Sequence, residues 1–156
     1  MSLSSLFFER PTMYHYQESG LPNVYLANGY TEQLTDWGSG IAIADVDGLH
    51  RAIGSALVRD RDRLLGADVR FLRKELGLSQ TALADAMGCE EQTVSLWERQ
   101  GRIPAPADRL LRALYVEHVK GSVTVGKLLK QLHARDHARA TDRMTMTRAR
   151  GWKLAA

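Results

Sequence analysis

The chain has 156 residues, a formal charge of +3, 44% hydrophobic and 25% charged residues. That is enough for one domain or two small ones whose core needs no staples, and the composition is that of a globular chain rather than a disordered or fibrous one. The sequence has no run of about 18 apolar residues to span a membrane, the opening MSLSSLFFERPT lacks the basic start of a signal peptide, and the single Cys89 excludes an intrachain disulfide framework and fits a cytoplasmic, reducing location.

Residues 1–13 read as a flexible leader. From Tyr14 the pattern turns extended: Tyr14 and Tyr16 alternate around His15, Val24-Tyr25-Leu26 is β-rich, and Ile41-Ala42-Ile43 is a further apolar run. Ser19-Gly20, Asn28-Gly29 and Gly38-Ser39-Gly40 separate these pieces, and Asn28-Gly29 is a hairpin signal. The expectation is a small antiparallel sheet of about three strands over residues 13–44. A helix capped by Asp45 or Asp47 follows, with Leu49, Ile53, Leu57 and Val58 on one stripe. The run Arg59-Asp60-Arg61-Asp62-Arg63 reads as a solvated linker closing a unit of residues 14–63, a candidate surface for dimerisation or partner binding.

Beyond it the spacing predicts a helix from Gly66 to Leu76, with Val69, Leu72 and Leu76 inward and Gly77 as its stop. Ser79 is a good N-cap for a short helix Gln80–Met87, which Gly88 ends, and a second helix runs from Glu91 to Arg99. Leu83, Met87, Cys89, Val94 and Trp97 occupy the positions that must face inward when two short helices cross steeply around one core. Ala84 and Gly88 are small, as a close crossing and a sharp turn require. Pro104 and Pro106 introduce a helix over 107–119, and Val125, Leu128, Leu129 and Leu132 mark one face of a further helix over 123–134.

The stretch LSQxxLAxxMG, the turn, and QTVxxWE resemble the helix-turn-helix of the XRE, or lambda-repressor-like, regulators. The N-terminal half is similar to chains in which YHYxESGLxNVYLxNGY and DxDGLHRAI precede such a unit. The resemblance implies an α+β chain: a small N-terminal antiparallel β unit plus helix, then an all-α lambda-repressor-like helix-turn-helix domain with an added C-terminal helix, over residues 64–134. The activity it implies is sequence-specific regulation of transcription by a homodimer on a double-stranded DNA operator. The alternative is an antitoxin that binds a protein toxin and autoregulates its operon. Some antitoxins join a β-containing unit to an XRE-like domain in this order, but the zinc-binding cysteine set of one such group is missing, since no CxxC occurs.

If the second helix lies in the major groove, its N-terminal residues stand nearest the bases. Gln92 can pair with adenine, Ser95 can serve several base edges, and Leu96 can touch a thymine methyl. Gln80 and Thr93 are candidates for phosphate, and Thr81 and Arg99 extend the same DNA-facing set. Glu91 can accept from a cytosine amine but also repels phosphate; Glu90 takes the N-cap, and Glu98 suits a structural hydrogen bond better than a base contact.

Charge is divided unevenly. Residues 1–59 hold three Lys/Arg against six Asp/Glu, residues 60–119 nine against ten, and residues 120–156 nine against two. The tail over 135–156 is thus either a solvated segment or a phosphate-contacting arm carrying Arg139, Arg143, Arg148, Arg150 and Lys153.

Catalytic chemistry finds little support. His133 and His137 share a spacing but no third ligand, Asp45 and Asp47 precede a helix where capping explains them, and neither GxGxxG nor GxxxxGK[ST] occurs. Cys89 at an inward position reads as a small hydrophobe. The chain is expected to be no enzyme and to hold no metal or cofactor.

Overall fold

The computed structural model describes residues 12–133 and 144–155. Six helices and three two-stranded antiparallel ladders make up the described chain. The leader up to residue 11 and the stretch 134–143, with His137, Arg139 and Arg143, lie outside it.

The N-terminal strands depart from the expected three-stranded sheet. β1 (Tyr14–His15) pairs with β2 (Tyr25–Leu26), and β3 (Tyr30–Thr35) pairs with β4 (Gly38–Ile43), as two separate ladders. Asn28-Gly29 does turn the chain, with Gly29 at φ 79°, but it joins strands that do not pair with each other. The hairpin turn is Asp36-Trp37 instead, between the partners Thr35 and Gly38. An Asn-Gly pair supplies a left-handed backbone wherever one is needed, so it marks a turn without naming the strands that flank it in space.

α1 (Val46–Asp60) is capped by Asp45, whose carboxylate accepts from the Gly48 N–H at 3.1 Å. Asp45 itself sits at φ 47°, a region short polar side chains tolerate. α1 packs on α2 (Gly66–Glu75) and α5 (Ala105–Val119), and Leu57 joins the same hydrophobic cluster as Leu21, Leu64, Val69, Leu83, Val94 and Tyr115. The core therefore runs without a break past residue 63. Arg59-Asp60 is an exposed pair of the kind that contributes little. Of the rest of the charged run, Asp62 and Arg63 are exposed but Arg61 pairs with the buried Asp68 at 3.2 Å, and Leu64, the next residue, is buried with its N–H on Asp108 at 2.8 Å. Arg112 holds Asp108 from the next turn of α5 at 2.6 Å and donates to the Val58 carbonyl at 2.8 Å.

His50 ties the N-terminal turn to α2. Its Nε2 meets the Tyr16 hydroxyl and its Nδ1 meets Glu75, both at 2.9 Å, while its ring lies edge-on to Phe71. α6 (Val123–His133) approaches α3 (Gln80–Met87) and α5, with Val125 against the core. The side chains of Leu128, Leu129 and Leu132, expected on its apolar face, lie outside the described residues. A last hairpin pairs β5 (Met146–Arg148) with β6 (Trp152–Leu154).

Candidate nucleic-acid interface

The local sequence builds the helix pair in steps. The Ser79 hydroxyl accepts from the Ala82 N–H at 3.0 Å and starts α3 at Gln80. Gly88 ends it at φ 68°, where any residue with a Cβ would be strained. Cys89 turns back with its N–H on the Ala84 carbonyl at 3.0 Å, and α4 (Glu91–Gln100) begins two residues later. Both helices match the expected ones to within a residue.

Glu90 takes the N-cap position of α4, but its carboxylate makes no cap bond. The first turn keeps open N–H groups and a positive end, both suited to an anion. Along α4, Val94 is fully buried, Glu98 is buried and Trp97 is half-buried. On the opposite side Glu91, Gln92, Leu96 and Arg99 are exposed and Ser95 is half-exposed. These five residues form one continuous helical face. Arg99 donates to the Ser95 carbonyl at 3.4 Å, which lays its guanidinium along that face. Thr81 is exposed on α3, whereas Thr93 is half-buried.

The angle of α4 is set from within. Glu98 accepts from Arg73 at 2.5 Å, from Arg70 at 3.3 Å and from the Gln80 side-chain amide at 2.8 Å. Arg73 also donates to the Leu78 carbonyl at 2.9 Å. One carboxylate thus clamps α2, α3 and α4 together. Burial alone would raise its pKa; the hydrogen bonds from Arg73 and Gln80, with the charge of Arg73 and the bond from Arg70, outweigh that and hold it below the ordinary value. Gln80, expected at a phosphate, gives one of its two amide hydrogens to this network.

At the C-terminal end of α4, Glu98 is more deeply buried than Trp97, the residue that the spacing turns inward there. α2 approaches α4 so closely at Gly66 that a Cβ there would collide with the backbone carbonyls of Trp97 and Glu98. The indole consequently packs at the margin of the core. The sequence reading missed Arg70, Arg73 and Gly66. The available signal was a pair of arginines three apart on α2, with a glutamate late in α4.

Cys89 is half-buried against the core, and burial pushes its thiol pKa up, away from a reactive thiolate. Among the described residues no group of three His, Cys, Asp or Glu side chains is placed to hold a metal ion. No helix among them is long and apolar enough to cross a membrane. Of the basic tail, Arg148, Arg150 and Lys153 sit exposed on the β5–β6 hairpin.

The comparisons with curated proteins and with solved structures give no match. A family model described as a helix-turn-helix domain matches residues 64–116, which span α2 to α5 and enclose the whole Glu98 clamp. That segment is a helix-turn-helix domain, a DNA-binding type of module, and its α4 presents the polar face.

Proposed function

We propose that the protein is a sequence-specific transcriptional regulator of the XRE, lambda-repressor-like kind, acting in the cytoplasm as a homodimer and reading the major groove with α4. The observation that carries the reading is the exposed face Glu91, Gln92, Ser95, Leu96 and Arg99, on a helix whose other side is locked by Val94 and Glu98. A rigid element that shows hydrogen-bonding side chains beside an open helix N-terminus suits base edges flanked by phosphates. Gln92 and Ser95 supply base contacts, Leu96 a methyl contact, and Thr81, Thr93 and Arg99 contacts to the backbone. Glu91 selects against bases that offer no amine.

Recognition in this reading needs no cofactor and no chemical step. One short helix meets only a few base pairs, so two copies on half-sites about one helical turn apart supply the rest of the specificity. Selection of random duplexes on the full-length protein tests it. The expected outcome is enrichment of an inverted repeat with that spacing. A pool that stays random after repeated rounds at physiological salt would sink the proposal.

A further inference from the structure

Two hairpins stand out from the body with apolar side chains in water. At the tip of β3–β4, Leu34 is 94% and Trp37 98% exposed. On β5–β6, Trp152 is 72% and Leu154 62% exposed, with Met146 at 45%. Neither position is ordinary surface, because isolated two-stranded hairpins are marginal and gain stability only by covering a face.

Register shows that each hairpin concentrates its apolar groups on one side. In β3–β4, Tyr30 opposes Ile43, Glu32 opposes Ile41 and Leu34 opposes Ser39, so these six share a face. The inner end is half-covered, since Tyr30, Ile41 and Ile43 are half-buried, and the apolar strip continues outward to Leu34 and Trp37. In β5–β6, Met146 opposes Leu154 and Arg148 opposes Trp152, again on one face.

Their charges are opposite. Residues 28–44 contain Glu32 and Asp36 and no Lys or Arg; residues 144–155 contain Arg148, Arg150 and Lys153 and no Asp or Glu. The acidic hairpin would be repelled by phosphate, which removes nucleic acid as its occupant. A phosphate arm has a use for the arginines of the other hairpin but none for a face of Met146, Trp152 and Leu154.

We propose that the two hairpins cover each other between two copies of the chain, with β3–β4 of one protomer docked on β5–β6 of its partner. Twofold symmetry repeats the contact, so the pair closes as a dimer. Each contact places Glu32 and Asp36 against Arg148 and Arg150 around the joined apolar faces. The four indoles of the dimer bring about 600–1,000 Å². With Leu34, Met146 and Leu154 added, the total passes the roughly 1,000 Å² that a specific interface needs. The inference deepens the homodimer of the proposed function by naming its contact, and its test is read without DNA, so either idea can fail alone.

The test uses two full-length variants that reverse charge at exposed positions: Glu32→Arg with Asp36→Arg, and Arg148→Glu with Arg150→Glu. Sedimentation velocity at low salt is expected to show a dimeric parent and a dimer weakened at least about tenfold in each variant. The equimolar mixture is expected to return to dimer, because in the mixed pair both contacts again join opposite charges. A monomeric parent, variants that dimerise like the parent, or a mixture that stays monomeric would each overturn the proposal.

Discussion

Glu98 governs the interface without touching its outer face. Its side chain is 1% exposed, and its partners come from two other helices. Removing one member of a buried ion pair leaves the other charge unsatisfied, which costs about 3–5 kcal/mol. Glu98→Ala, which strands Arg73, is expected to lose stability in that range in chemical denaturation; a loss under about 1 kcal/mol would show that the clamp is not structural. Because the folded-state pKa of Glu98 lies below its ordinary 4.5, its contribution is complete above that pH and is lost as pH falls through the lower folded value. Asp108 behaves in the same sense. Burial opposes its ionisation, but Arg112, the Leu64 N–H and the charge of Arg63 hold its pKa below 3.8. Acid melts of Glu98→Gln are therefore expected to fall less steeply below pH 4.5 than those of the parent.

Among the elements, the placing of α4 depends on its contact with the start of α2. Gly66→Ala must push the two helices apart, since the added methyl meets backbone carbonyls that cannot rotate away. The expected cost is about 1–3 kcal/mol, as for other overpacked sites, with DNA binding weakened because α4, the proposed reading helix, tilts. A variant with parental melting and parental affinity would show that the approach is softer than the geometry implies. The helices themselves were legible in the sequence: Ser79 and Gly88 are local signals, and the caps they form lie where their chemistry demands. The structural hydrogen bonding of Glu98 was expected, but its partners were not, since nothing in a 3.6-residue period says that Arg70 and Arg73 arrive from another helix. The strands were the least legible part. Asn28-Gly29 announced a turn truly, yet pairing is decided by tertiary neighbours such as Tyr14, whose ring lies 5.4 Å from that of Tyr30.

At the scale of the whole molecule, α1 and the N-terminal turn are part of the base on which the helix-turn-helix rests. Leu21 and Leu57 share its core, Arg112 reaches back to Val58, and the Tyr115 hydroxyl donates to the Arg51 carbonyl at 3.4 Å. A charged run such as 59–63 reads as a linker in sequence because the burial of Asp68, which holds Arg61, and of Leu64 just beyond the run is decided by packing against other helices rather than by the local pattern. Among the described residues, the β3–β4 and β5–β6 hairpins place no side chain in that shared core, and the exposed face of α4 lies apart from both. The central claim is that this face discriminates bases, and competition between a selected duplex and random duplex measures it most directly. Gln92→Ala with Ser95→Ala is expected to lose about 1–3 kcal/mol of specific binding for each good base contact removed, with binding to random duplex unchanged. Discrimination equal to that of the parent would contradict the account and place the reading surface elsewhere.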